Sequence, residues 1–166
     1  MNKFIPILAV SFMICRSDAN AQSGWMWRNP LPQGNTLRDV SFVTHGGITA
    51  GTAVGETGTI IRTTDGGASW VNQSVAATDS LYGVSFIDAN MGMAVGTGGL
   101  ILRTTDGGAK WKFESRTTID LYGVSFTDID KWIAVGDTGA ILRTTDGGAS
   151  WTRSSSGTKQ SLQSCA

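Results

Sequence analysis

The segment Arg62–Trp70, RTTDGGASW, returns as RTTDGGAKW at Arg103–Trp111 and unchanged at Arg143–Trp151. The closing tryptophans are therefore spaced by 41 and then 40 residues. A segment that recurs at this period indicates a propeller or a solenoid, because each unit has to stack on a neighbour to bury its faces.

Around this segment, each unit contains short β-prone runs separated by turn signals. In the second unit the runs are Leu81–Phe86, Met91–Val95, Leu100–Thr105 and Lys110–Phe113. Four short antiparallel strands joined by tight turns make one propeller blade. The third unit, Leu121–Trp151, repeats the pattern.

The first unit, Leu37–Trp70, is three residues longer than the other two. The extra length is predicted to lie in the first hairpin loop, Thr44–Gly51. This loop carries His45, the single histidine of the chain. An exposed position in a Gly-rich loop is expected for this side chain.

Partial units flank the three complete ones. Trp27 falls in register with the repeated tryptophans once the insertion is allowed for, so Gly24–Asn29 is predicted to be a lone closing strand. Leu162 falls 41 residues after Leu121, so Ser161–Ser164 is predicted to start another first strand. Closed propellers have about four to eight blades. We therefore expect a truncated member, or one that completes its ring by association, with open strand edges that favour self-association.

The sequence thus predicts an all-β fold, a partial β-propeller of about three four-stranded antiparallel blades. A lone N-terminal closing strand and an incomplete fourth blade complete this prediction. The predicted division is a signal peptide at 1–21, a lead-in with the closing strand at 22–36, blades at 37–75, 76–116 and 117–156, and the start of a truncated blade at 157–166.

The first residues are typical of an export signal. Lys3 provides a positive start, Phe4–Cys15 is an apolar stretch, and Ala19-Asn20-Ala21 is a small-x-small cleavage site before Gln22. Twelve apolar residues are too few for a membrane span of about 20. We expect cleavage after Ala21, a periplasmic or extracellular location, and no membrane span afterwards.

Cleavage would leave Cys165 as the single cysteine of the mature chain, which excludes an intrachain disulfide. A lone thiol near the end of an exported chain can pair between molecules. The alternative, which we favour, is that this cysteine has no functional role.

The repeated segment has the form S/T-x-D-x-G-x-x-W. The Asp carboxylate is expected to accept backbone N–H groups of its own turn, the Gly to take a positive φ, and the Trp to fill the seam between sheets. This form resembles the Asp-box, or BNR repeat, of sialidases and related propellers. Its members are Thr63, Asp65, Gly67 and Trp70; Thr104, Asp106, Gly108 and Trp111; and Thr144, Asp146, Gly148 and Trp151.

The fuller pattern LYGVSF…AVG…G.ILRTTDGG..W, with WRNPLPQGNTLRDVSF near the start, resembles the photosystem II stability/assembly factor family of propellers. The resemblance covers nearly all of residues 25–164. It implies a WD40/YVTN-like propeller and a non-enzymatic chaperone that binds a reaction-centre subunit. Similar repeats occur in secreted proteins of non-photosynthetic bacteria, so a photosynthetic role does not follow.

Arg62, Arg103 and Arg143 also recur. They are the candidate partner-binding residues, since an arc of guanidinium groups across neighbouring blades would grip an acidic partner. The alternative, which we favour, is a structural ion pair or a hydrogen bond to the neighbouring turn. Residues that differ between units are freer to serve function, among them Glu56, Thr97 and Asp137 in one equivalent turn.

The residue inventory argues against catalysis. His45 has no sequence cue toward a nucleophile, and Tyr82 and Tyr122 are repeat-equivalent and therefore interpreted as structural. The three repeated aspartates supply one carboxylate per turn, which is too few to hold calcium. No catalytic residue, metal site or cofactor is predicted. Thirteen basic and thirteen acidic residues cancel, so nucleic acid is not an expected partner.

Two functions from different classes fit these observations. The first is a non-enzymatic exported propeller module that binds a protein partner, resembling the assembly factors. The alternative is a fragment of a secreted glycan-binding or glycan-hydrolysing Asp-box propeller, for which paired carboxylates would be needed. A fragment with no function of its own is the third possibility.

Overall fold

The computed structural model describes residues 34–165 except 74, 76–77 and 116. The predicted signal peptide and the predicted closing strand Gly24–Asn29 lie outside the described residues. The described residues form three four-stranded antiparallel sheets, each with its strands in chain order. The strands are β1 Leu37–His45, β2 Ile48–Gly55, β3 Ile60–Thr63 and β4 Val71–Asn72; β5 Leu81–Phe86, β6 Gly92–Gly96, β7 Ile101–Thr104 and β8 Lys112–Ser115; and β9 Leu121–Phe126, β10 Trp132–Gly136, β11 Ala140–Thr144 and β12 Thr152–Ser155.

These sheets are the three predicted blades. A short 3-10 turn follows the second strand of each blade, at Glu56–Gly58, Thr97–Gly99 and Asp137–Gly139. The first strands lie side by side, since β5 contacts both β1 and β9. We call β1, β5 and β9 the inner strands. In a propeller such strands lie next to the central axis.

Neighbouring blades bury apolar residues against each other at two junctions. The leading face of a blade is the face that carries Leu81, Val84 and Phe86 in the second blade, and the trailing face carries Val95 and Ile101. The first core joins the trailing face of blade one to the leading face of blade two, and the second core joins blades two and three. Sheets buried on both faces explain the continuous apolar run Leu100–Leu102.

Glycine allows the inner strands to approach closely. A Cβ built on Gly83 of β5 would lie 2.7 Å from the carbonyl oxygen of Tyr122 in β9. Gly123 of β9 in turn lies beside Ser164, where a Cβ would lie 3.0 Å from the Ser164 Cα. Residues 161–165 therefore occupy the place of a fourth inner strand.

The segment 161–165 forms no strand, although the sequence predicts one at Ser161–Ser164. The Leu162 N–H donates to the Gly136 carbonyl at 2.9 Å, so the segment is held to the third blade. A strand needs a neighbouring strand to form a ladder of hydrogen bonds. Among the described residues, no second strand of a fourth blade is present to pair with this segment.

The prediction that the first hairpin gains a longer loop is wrong. The extra residues extend the ladder of β1 and β2 up to the pair His45 and Ile48. The chain reverses at Gly46 and Gly47, whose φ angles of 58° and 80° suit a tight two-residue turn. His45 is exposed at the end of β1.

Candidate functional site

The Asp-box turns are closed by their own side chains. In the first blade the Thr63 hydroxyl donates to Asp65 Oδ1 at 2.6 Å and accepts from the Gly67 N–H at 2.9 Å. Asp65 Oδ1 also accepts from the Ser69 N–H at 2.9 Å. The equivalent hydrogen bonds recur around Asp106 and Asp146. The carboxylates are therefore engaged in turn formation.

Hydrogen bonding also sets the charge state of these aspartates. The Ser150 hydroxyl and the Thr144 hydroxyl lower the pKa of Asp146 to about 2. The equivalent hydroxyls, from Ser69 and Thr63, lower the pKa of Asp65 further. A carboxylate held in the ionised form in this way does not serve as a general acid at neutral pH.

The repeated tryptophans are half-buried, and Trp111 and Trp151 pack at the blade seams. Trp111 lies against the first core, with its ring centroid 6.0 Å from that of Phe86. Its indole N–H donates to Gln73 Oε1 of the preceding blade at 3.2 Å, so it ties the two blades together. Trp151 packs against the second core, and Trp70 packs edge-on against Phe42 of its own blade.

The three repeated arginines have different surroundings. Arg62 is 9% exposed; its Nη1 donates to Thr52 at 2.8 Å, and its Nη2 donates to the carbonyl of Ala89 in the next blade. Arg103 lies beside Gly147 of the third blade. Arg143 is exposed. For Arg62, these hydrogen bonds fit the alternative interpretation, in which the repeated arginine bonds to a neighbouring turn.

A second set of residues forms a cleft along the inner strands. The cleft consists of two adjoining spaces of about 360 Å³ and 420 Å³, which share four lining side chains. We call it the inner-strand cleft, and the four shared residues are Arg38, Tyr82, Tyr122 and Gln163.

These four residues occupy the equivalent position in successive units, each directly after a Leu. Leu37, Leu81 and Leu121 open the inner strands, and Leu162 is their equivalent in the last segment. In β1, β5 and β9 the strand pairing skips this position, so Arg38, Tyr82 and Tyr122 are the extra residues of β-bulges. A bulge re-aims the side chain that it carries. The local backbone thus presents three different side chains to one cleft.

Neighbouring side chains orient the lining residues. Arg38 Nη2 lies 2.6 Å from Glu56 Oε1, and the Thr97 hydroxyl donates to the Tyr82 oxygen at 3.1 Å. The Tyr82 and Tyr122 ring centroids are 5.4 Å apart. Glu56 and Thr97 belong to the variable turn that the sequence singles out, and both lie next to the variable inner-strand position.

Acidic side chains lie close to Tyr122. Burial raises the pKa of Tyr122, and the negative charges of Asp137 and Asp120 raise it further. The Asp137 carboxylate accepts from the Ser161 hydroxyl at 2.5 Å, which lowers the pKa of Asp137. Arg38, which is paired with Glu56, places a positive charge in the lining, so charged groups of both signs border the cleft.

Sequence reasoning missed this cleft. Tyr82 and Tyr122 are interpreted there as structural because they are equivalent, and Arg38 and Gln163 receive no role. The usable signal was the difference at that position, which reads Arg, Tyr, Tyr and Gln directly after a Leu that repeats in all four units.

The described part of the chain offers no group of three or more His, Cys, Asp or Glu side chains that could hold a metal ion. None of its helical segments is long and apolar enough to cross a membrane. Cys165 lines the cleft as a half-buried free thiol, and burial raises its pKa. What the site offers is hydrogen bonding and aromatic contact.

Comparison with known proteins gives one family. The family model of the photosynthesis system II assembly factor YCF48 matches residues 73–161, more than half of the chain. No curated protein matches. Fourteen chains of solved structures do.

Two of these structures describe the likeness. One is YCF48 bound to D1 peptide, with a TM-score of 0.65 and 29% identity, covering 74% of this chain and 40% of that one. The other is YCF48 from Cyanidioschyzon merolae, with a TM-score of 0.56 and 24% identity, covering 75% of this chain and 42% of that one. The chain thus spans about two fifths of the length of these solved structures.

Proposed function

The chain belongs to the photosynthesis system II assembly factor YCF48 family, and from this premise we propose that it is a non-enzymatic module that binds a protein partner. The inner-strand cleft is the proposed site. The observation that carries this assignment is the convergence of four different side chains, Arg38, Tyr82, Tyr122 and Gln163, from one repeat position.

The lining suits an extended peptide. Arg38 offers several N–H donors, and Gln163 offers both a donor and an acceptor for backbone amides. Tyr82 and Tyr122 give rigid, amphipathic contact area at a low cost in side-chain entropy. Tyr and Arg are also enriched among the residues that dominate protein interfaces. The side chains bonded to them reduce the rotamer freedom that binding would have to remove.

The absence of a catalytic role is part of the proposal. It is supported by the Asp-box carboxylates, whose oxygens accept hydrogen bonds within their own turns. His45 lies at the exposed end of a hairpin rather than in the cleft.

The solved YCF48 complex supplies the first probe, because that protein is bound to a D1 peptide. We expect a fluorescently labelled D1 peptide to bind this chain, and a scrambled peptide of the same composition to bind more weakly. An immobilised array of unrelated extended peptides tests whether another sequence is preferred.

A matched pair of variants locates the site. Arg38→Gln removes a charge from the cleft, whereas Arg153→Gln removes the same charge from an exposed position on the outer strand β12. We expect Arg38→Gln to weaken binding about tenfold, because a central interface Arg contributes about 1.4 kcal/mol or more. Arg153→Gln should bind as the wild type does. Equal affinities for both variants would contradict the proposed site.

We further propose that the chain is exported and cleaved after Ala21. Lys3, the apolar stretch Phe4–Cys15 and the small residues at 19–21 support this. Expression in a bacterial host, followed by fractionation and N-terminal sequencing, tests it. A chain that begins at Met1 in the cytoplasmic fraction would contradict export.

A further inference from the structure

The leading face of the first blade is exposed where its equivalents are buried. Leu37, Val40 and Phe42 are 38%, 50% and 49% exposed. Their repeat equivalents in the second blade, Leu81, Val84 and Phe86, are 0%, 5% and 3% exposed because the first blade covers them. A contiguous exposed apolar face of this kind marks an interaction surface.

The other half of such a junction has its repeat equivalents on the third blade. In both junctions, a Val and an Ile of the trailing face cover the leading face of the next blade. They are Val54 and Ile60 in the first junction and Val95 and Ile101 in the second. The third blade carries Val135 and Ile141 at the equivalent positions; Val135 is 5% exposed and Ile141 is half-buried, so this face is already partly covered. Its trailing face therefore has the chemistry that covers a leading face.

An arginine adds polar complementarity to this match. Across the first junction the Arg62 guanidinium lies 5.1 Å from the centre of the Phe86 ring. The repeat equivalents of these two residues are Arg143 and Phe42, and both are exposed. The chain thus exposes both partners of a cation–π contact that it has already made once.

We propose that a second copy of this chain covers the exposed leading face. The third blade of one copy packs on the first blade of the next, so that Arg143 of one copy meets Phe42 of the other. Such a contact is heterologous, since two different surfaces meet, and it can extend or close into a ring.

This arrangement makes the segment 161–165 a competitor. The segment lies beside Gly123 of β9, where the inner strand β1 of the second copy would have to lie. The bond from the Leu162 N–H to the Gly136 carbonyl has to open before the copies dock. Association is therefore expected to be weakened by this segment and strengthened when it is loosened.

Complementation between two variants tests the proposal. The first variant, Val40→Asp with Phe42→Asp, disables the leading face, and the second, Arg143→Glu, disables the trailing face. All three positions are exposed, so circular dichroism and thermal melting should show the wild-type fold. Val71→Asp, at an exposed position on β4, is the control.

Sedimentation velocity over a wide dilution series gives the readout. We expect the wild type and Val71→Asp to associate with rising concentration, and the double Asp variant and Arg143→Glu to associate at least tenfold more weakly. An equimolar mixture of these two variants should form a one-to-one dimer, because one intact junction remains between them. Leu162→Ser should associate more tightly than the wild type.

Three results would overturn the proposal. They are a wild type that stays monomeric throughout the series, a double Asp variant that associates as the wild type does, and a variant mixture that stays monomeric while the wild type associates. The last would indicate that like faces pair with each other.

Discussion

Arg62 of β3 and Phe86 of β5 connect two blades through a guanidinium that lies 5.1 Å from the ring centre. The same guanidinium donates to Thr52 of its own blade and to the Ala89 carbonyl of the next. The repeat pattern makes Arg62 a candidate partner-binding residue, but its guanidinium is engaged in contacts within the fold. Burial also lowers the pKa of Arg62.

Replacing this arginine should destabilise the fold. Arg62→Met keeps the aliphatic stem but removes the cation–π contact and leaves the Ala89 carbonyl without this donor, so we expect a loss of about 2 kcal/mol in the free energy of unfolding. Urea denaturation in dilute solution measures it. Arg143→Met is the matched control and should change the free energy by less than about 0.5 kcal/mol, because Arg143 is exposed. Equal losses would contradict the assigned role.

Trp132 is the largest fully buried side chain among the described residues. Its ring centroid lies 5.1 Å from that of Phe126, and its indole N–H donates to the Ile129 carbonyl at 3.1 Å. We expect Trp132→Ala to cost about 3–5 kcal/mol, because it empties a closed space in the second core. Val71→Ala, at a side chain 67% exposed, should cost little in the same denaturation experiment. A small loss for Trp132→Ala would show that this core is not closed.

Gly83 controls the spacing of the inner strands. Its missing Cβ would lie 2.7 Å from the Tyr122 carbonyl, which is backbone and cannot swing aside. We therefore expect Gly83→Ala to force β5 and β9 apart at a cost of about 1–3 kcal/mol. Gly34→Ala is the control, since nothing lies within 4 Å of its Cβ position. Thermal unfolding that is identical for the two variants would argue against close contact between these strands.

The Asp-box carboxylates predict a defined response to acid. The pKa of Asp146 is about 2 in the folded chain, below the value of about 3.9 for an unfolded Asp. A lowered folded pKa means that the stabilisation is fully present above about pH 4 and is lost as the pH falls toward 2. The free energy of unfolding of the wild type should exceed that of Asp146→Asn at neutral pH.

This difference should shrink between pH 4 and pH 2 as the wild-type carboxylate takes up a proton. Urea denaturation at several pH values measures it. Asp79→Asn serves as a control outside the three Asp-boxes. A difference between wild type and Asp146→Asn that is independent of pH would show that the charge of Asp146 contributes nothing to the turn.

Some features of this protein were predictable because their causes are local. The Asp-box depends on contacts no more than four residues apart, from Thr63 to Gly67 and from Asp65 to Ser69, so the motif predicts its own turn. The strands of the second blade start and end within about two residues of the predicted bounds for the same reason: turn residues punctuate them. The length of the first unit could not predict where its three extra residues lie, since an insertion can lengthen either a loop or a pair of strands. Here they lengthen the paired strands β1 and β2.

The amino-acid sequence by itself determined the repeat, the four-strand unit and the turn chemistry, because a period of about forty residues and an i to i+4 hydrogen-bond pattern are properties of the chain alone. The tertiary structure decided which side chains share a site. Arg38, Tyr82, Tyr122 and Gln163 meet in one cleft because bulged inner strands from successive units lie side by side, and that proximity depends on how blades stack. Stacking also decided that Phe86 is buried and Phe42 exposed, although the two occupy the same place in their units: only one of them has a preceding blade to cover it among the described residues.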